Sequence, residues 1–130
     1  MATRYKSPME LNMAKYLLDT NTIIYALNQG LKLPNGKYFV SIITEIELLS
    51  YSSLTKNDEI ILKNLLSQFE SVELTKSVKE KTIQIRRDSK LKLPDSIVVA
   101  SALDNDAILV TSDKQLLNAQ IVKTIELNQL

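Results

Sequence analysis

Five short apolar runs of strand character punctuate this chain, at residues 16–18, 38–42, 72–75, 107–110 and 122–125. Every gap between them holds at least one segment of helical character. Strands that alternate with helices pair in parallel, because each crossover helix returns the chain to the same end of the sheet. The helices must then cover both faces of that sheet. The order predicts an α/β layer sandwich with a mostly parallel central sheet of about five strands.

The intervening segments carry their own start and stop signals. Residues 22–28 read as a helix, with Gly30 as its stop. Helices are expected over 43–53 and 57–70, the second opened by Asn57, Asp58 and Glu59, which suit a helix N-terminus. Residues 77–90 follow as a helix with Val78, Thr82 and Ile85 on one face. Pro94 opens the next helix, 95–104, whose Ile97, Val98, Val99, Ala100 and Ala102 leave it apolar nearly all round and so buried. At 130 residues the chain has one domain's worth of sequence, expected over 13–130. Residues 1–12 show no clear periodicity and read as a flexible leader or a cloning remnant. No apolar run approaches the roughly 18 residues that span a bilayer. The N-terminus lacks the apolar core of a secretory signal. The expectation is a soluble, cytoplasmic protein.

Composition narrows the chemistry. Cysteine and histidine are absent. That removes disulfides, thiol nucleophiles, zinc–thiolate sites, imidazole bases and the Ser-His-Asp triad. The only glycines are Gly30 and Gly36, too few for a phosphate-cradling loop. Sixteen Lys and Arg against fifteen Asp and Glu leave a net charge of +1, so any useful field is local. An enzyme built from this alphabet works with carboxylates and an oxygen-preferring cation, Mg²⁺ or Mn²⁺.

In an open α/β sheet ligands bind outside the carboxyl ends of the strands. Asp19 follows the first apolar run, Asp113 follows the fourth, and Asp95 opens the buried helix. Each one alone is an ordinary helix-capping or first-turn acid. Three at one end of a sheet, in a chain without histidine, form a candidate cation site. A fourth acid lies in 43–49 as Glu45 or Glu47, which are about 200° apart on a helix; periodicity does not choose between them. Asp104, nine residues after Asp95, sits about 13.5 Å along the helix and belongs elsewhere. Lys79, Arg86 and Lys90 fall within about 20° of one line on the 77–90 helix. With Lys92 they offer a phosphate-contacting rim, against the plainer reading of a solvated helix face.

These pieces together resemble a known family. Tyr16-Leu17-Leu18-Asp19-Thr20-Asn21, the 41–49 segment SIITEIELL, the 91–102 segment LKLPDSIVVASA and Leu109-Val110-Thr111-Ser112-Asp113 match, in order, the motifs of the PIN domain and, within it, of VapC-type ribonuclease toxins. The resemblance implies a three-layer α/β/α sandwich. It places an acidic quartet on Asp19, Glu47, Asp95 and Asp113 as metal ligands and catalytic groups, preferring Glu47 to Glu45. Asn21 and Thr111 match polar positions beside the metal pocket. The implied activity is an Mg²⁺- or Mn²⁺-dependent endoribonuclease, a hydrolase whose metal-activated water cleaves RNA, tRNA among the candidate substrates. The implied partners are a VapB-like antitoxin and a second copy in a homodimer. Leu116 and Ser50 depart from the family's usual aromatic residue and glycine, and neither displaces an acid.

Three other readings use a similar scaffold. A PIN fold that only binds RNA or protein would have lost its acids, and all four are present. A phospho-accepting receiver module needs an acidic pair after the first strand, and Asp19 has no acidic neighbour. A haloacid-dehalogenase-type phosphatase is disfavoured by Asn21 and Ile23, which stand where its signature has Asp and Thr.

Overall fold

The structure, a computed structural model, describes residues 13–130, so the expected leader at 1–12 lies outside the described residues. The elements run β1 (Lys15–Leu18), α1 (Thr20–Asn28), β2 (Lys37–Ser41), α2 (Ile42–Leu49), α3 (Lys56–Leu66), β3 (Glu70–Val72) and α4 (Lys76–Asp88). They continue as α5 (Leu93–Asp104), β4 (Ile108–Val110), α6 (Lys114–Ala119), β5 (Thr124–Ile125) and a 3₁₀ turn at Leu127–Gln129. The five strands form one sheet in the order β3-β2-β1-β4-β5, with every pairing parallel. From β1 the chain winds outward to β2 and β3 on one side, then returns to β4 and β5 on the other. The carboxyl ends of β1 and β4 therefore meet at the switch point, where such sheets form a crevice.

The three layers follow from the two-residue period of the strands. Leu17, Phe39 and Leu109, aligned across β1, β2 and β4, join Val78, Ile85, Val98, Val99 and Leu116 in a core beneath α4, α5 and α6. Their neighbours Leu18, Val40 and Val110 join Ile23, Leu48, Leu62, Leu66 and Phe69 in a second core beneath α1, α2 and α3. Helix α5 is buried from Ser96 through Ala102. Small residues at 96, 100, 101 and 102 allow this close packing, and Ser101 meets its own polar need by donating to the Ile97 carbonyl at 2.7 Å.

Helix ends account for most local departures from expectation. Gly30, at φ +60°, closes a Schellman motif: its N–H donates to Leu27 O at 3.1 Å and Leu31 N–H to Ala26 O at 3.0 Å. Helix α3 starts one residue earlier than expected, because Thr55 and Asp58 form a capping box. It ends at Leu66 rather than near 70. Phe69 turns inward against Tyr38, with ring centroids 5.8 Å apart, and Glu70 aligns with Phe39 in the sheet. Strand β3 is displaced accordingly, to 70–72 rather than 72–75.

Candidate active site

Asp19 caps α1 immediately beyond β1. Its Oδ1 accepts from the Thr22 N–H at 2.9 Å and its Oδ2 accepts from the Thr111 hydroxyl. Thr111 follows β4, is fully buried, and accepts in turn from the Asp113 N–H at 3.0 Å. The Asp19 N–H and the Thr22 hydroxyl both donate to Val110 O, at 3.3 and 3.1 Å. This lattice stitches the ends of β1 and β4 together and sets Asp19 and Asp113 on the same crevice. Asp113 caps α6, its Oδ1 accepting from the Gln115 N–H at 2.8 Å.

Glu47 arrives from α2. The buried Thr44 and Leu48 fix the inner face of that helix. Glu47 reaches over the start of α1, where its Oε1 accepts from the Thr20 hydroxyl at 3.0 Å. The contact spans 27 residues and separates Glu47 from Glu45, which makes no bond to this corner among the described residues. Asp95 comes from the first turn of α5, a helix whose N-terminus has no side-chain cap.

The electrostatics tie the four acids together. Burial raises the Asp95 pKa above the ordinary carboxylate value, and the charges of Asp113, Asp19 and Glu47 raise it further; Lys92 alone opposes them. A helix N-terminus normally favours an ionised acid. Here desolvation and three like charges outweigh it. Asp95 also receives no hydrogen bond from a described residue, unlike the other three.

Such a corner suits a hard divalent cation in chemistry and charge: all donors are oxygens, and each engaged oxygen keeps a free lone pair. Among the described residues, however, no three acidic side chains are gathered tightly enough to enclose an ion as they stand. Asp19 is held by two bonds, whereas Asp95 and Asp113 are half-exposed and Glu47 faces solvent.

The remaining expected residues divide. Thr111 bridges Asp19 and Asp113, as described. Asn21 lies on the exposed side of α1, along a cleft that Asp113 also lines. Lys92 faces Asp95. Lys90 is exposed in the α4–α5 connection. Arg86 donates to Leu91 O at 2.8 Å and so clasps that connection. Lys79 stands two residues from Ser77, whose hydroxyl donates to Asp104 at 2.5 Å, and thus lies toward the far end of α5 from Asp95. Lys81 pairs with the same Asp104 at 3.0 Å, and these two donors hold its pKa low. Because α4 and α5 run antiparallel, Arg86, Lys90 and Lys92 lie at the Asp95 end of the pair and Lys79 at the other. Thr20, which holds Glu47, and Thr22, which holds Asp19, were not singled out from the sequence. Thr20 belongs to the first motif, but its contact with Glu47 spans 27 residues; Thr22, one residue beyond the motif, holds Asp19 by a local N-cap bond.

A family model described as PIN domain matches residues 16–121. No curated protein matches the chain by sequence. Among solved structures, a chain of a toxin–antitoxin complex from Klebsiella pneumoniae is similar at 26% identity and a TM-score of 0.72, over 85% of this chain and 95% of that one. A chain of VapBC2 from Rickettsia felis, bound to a promoter DNA fragment, gives 20% identity and 0.74, over 86% and 98%. A chain of DNA-bound VapBC from Salmonella typhimurium gives 19% and 0.77, over 88% and 98%.

Proposed function

The chain belongs to the PIN-domain family, and on that premise we propose that it is a metal-dependent endoribonuclease, the VapC-like toxin of a toxin–antitoxin pair. One observation carries the reading. Four carboxylates from separate elements gather near the switch point of a parallel sheet: Thr111 joins Asp19 to Asp113, Thr20 at the start of α1 holds Glu47, and Asp95 lies within reach of the charges of all three. A structural role explains Asp19 and Asp113 as caps, but it leaves the unsupported Asp95 unexplained. A scaffold that only bound RNA would gain nothing from that repulsion.

In this reading Asp19, Glu47, Asp95 and Asp113 hold Mg²⁺ or Mn²⁺. The ion, when bound, supplies Lewis acidity, a nucleophile drawn from water near neutral pH and charge neutralisation at the phosphate. The protein's own part is positioning. Thr22 and Thr111 lock Asp19, Thr20 orients Glu47, and the N-cap bond to Gln115 orients Asp113. Asp95 gains most from a cation, because its carboxylate is opposed by three neighbours. Lys92, beside it, is the basic residue best placed to meet an incoming RNA phosphate, with Lys90 next along the connection.

The partner assignments belong to the same proposal. A cleft of about 360 Å³ between α1, α2 and α3 is lined by Ile24, Leu27, Leu48 and Ile61. Ile46, Leu49, Tyr51, Ile60 and Ile61 stand exposed on α2, α3 and the loop between them. An apolar surface of this kind suits a VapB-like antitoxin, and the similar structures are of toxin–antitoxin and VapBC complexes. A homodimer and a cytoplasmic location complete the reading. Among the described residues, no helix is long and apolar enough to cross a membrane.

The test is cleavage of single-stranded RNA and of folded tRNA with Mn²⁺, comparing the wild-type chain with an Asp95→Asn chain prepared identically. Cleavage by the wild type alone supports the reading. Equal cleavage by both chains, or cleavage that survives excess EDTA, contradicts it.

A further inference from the structure

We propose that the cleft beside Asp113 is a nucleobase subsite, with the ring of Tyr25 as its stacking platform. The proposal rests on the endoribonuclease reading and adds where one base of the RNA sits. The cleft measures about 510 Å³ and lies between α1, the loop after β4 and the 3₁₀ turn. Asn21 and Tyr25 stand one helical turn apart and so share a face of α1. Asp113 joins this wall to the acidic crevice. A base in the cleft is thus continuous with a phosphate at the acids.

Three features select a base over other occupants. First, Tyr25 is 54% exposed and has no aromatic partner among the described residues, whereas Tyr16 and Tyr38 stack on each other at 5.5 Å. An aromatic face left open in a groove is the sequence-tolerant way to hold an unstacked base. Second, no Lys or Arg lines the cleft, while Asp113 and Glu126 do. That pairing repels phosphate and favours a flat neutral group carrying N–H donors, such as the amino edge of a base. Third, the side chains of Asn21, Ser112 and Asn128 make no hydrogen bond to a described residue, so amide and hydroxyl groups are available along the base edge.

The groove also continues in the right way for a strand. Beyond Tyr25 lies a second, mainly apolar hollow of about 350 Å³ that shares Tyr25, Leu127 and Asn128 and carries Lys32. The path therefore runs from carboxylates, to an aromatic ring, to a cation. That order is compatible with a strand in which one phosphate reacts, its base stacks, and a neighbouring phosphate meets Lys32.

The experiment uses fluorescence anisotropy with the full chain and labelled single-stranded RNA decamers, Ca²⁺ replacing Mn²⁺. An intact decamer is compared with a set carrying one abasic nucleotide at each position in turn. Tyr25→Ala should weaken binding of the intact decamer about tenfold, the scale of one base–aromatic stack, and Tyr25→Phe should not. One abasic position should weaken wild-type binding by a similar factor and weaken Tyr25→Ala no further. In Mn²⁺ the same Tyr25→Ala chain should show a raised KM. A wild type that cuts and binds RNA while Tyr25→Ala binds every decamer equally well overturns the subsite alone. Abasic losses that are the same with and without the ring do so too. A wild type that neither binds nor cuts RNA overturns the endoribonuclease reading and the subsite together. Melting curves of the two Tyr25 variants, expected to match the wild type because the ring is exposed, exclude unfolding as the cause.

Discussion

Asp19→Ala and Asp95→Asn should move the metal-free stability of this chain in opposite directions, although both remove a carboxylate from the same crevice. Asp19 holds structure. Its loss removes the α1 cap to the Thr22 N–H at 2.9 Å, a contribution of about 1 kcal/mol. It also strands the Thr111 hydroxyl, which is 0% exposed, at a cost of about 1–3 kcal/mol. The sum is about 2–4 kcal/mol, slightly offset by relief of repulsion on Asp95. For a chain of 130 residues, each kcal/mol is worth roughly 4 °C, so Tm should fall by roughly 8–16 °C. Asp19→Asn keeps a capping oxygen and should fall much less. Asp95 has no hydrogen bond from a described residue to lose, and its charge is opposed by Asp113, Asp19 and Glu47. Asp95→Asn should therefore raise Tm in EDTA. Thermal melts followed by circular dichroism at neutral pH, with EDTA throughout, decide the matter. An Asp19→Ala chain as stable as wild type, or an Asp95→Asn chain less stable than wild type, would refute the division of roles.

Further expectations follow from the same geometry. The Asp95 pKa is raised in the fold, so its contribution to stability is complete below the ordinary value near 3.8 and is lost as pH rises through the folded value. The metal-free Tm of the wild type, measured relative to Asp95→Asn, should decline across that window and then level off. Saturating Mn²⁺ should raise the wild-type Tm, by about 2.7 kcal/mol of stabilisation at a hundredfold excess over Kd, and should raise that of Asp95→Asn less. Arg86→Met should cost about 1 kcal/mol, as the bond to the Leu91 carbonyl is lost. In filter-binding assays, Lys92→Ala should weaken RNA affinity and lower the salt slope by about 1, with Lys79→Ala near neutral.

What could be read from the residues alone follows from how far each determinant reaches along the chain. Asp19 and Asp113 were legible because strand, turn and cap are contiguous in sequence, and a parallel sheet brings every strand's carboxyl end to one edge. The burial of α5 was legible for the same reason, since its seven buried residues run without interruption from Ser96 to Ala102. The choice of Glu47 over Glu45 was not open to periodicity. It depends on Thr20, 27 residues away, and only the family resemblance favoured it beforehand. One line on a helix says nothing about which end of that helix lies near the site, and Lys79 illustrates it. The antiparallel packing of α4 on α5 carries Lys79 toward Asp104. Phe69 lies within the helix expected over 57–70, but the observed helix stops at Leu66 and Phe69 meets Tyr38, a tertiary contact that no local propensity encodes.

The central claim is that Asp19, Glu47, Asp95 and Asp113 form one cation site. The most direct measurement is an anomalous difference map from crystals of the wild-type chain grown with Mn²⁺. A peak within ligating distance of Asp19 and Asp95, with Glu47 or Asp113 drawn toward it, is the expected result, and it should be absent from Asp95→Asn crystals grown the same way. A fully ordered crevice at saturating Mn²⁺ with no peak between these acids would contradict the account.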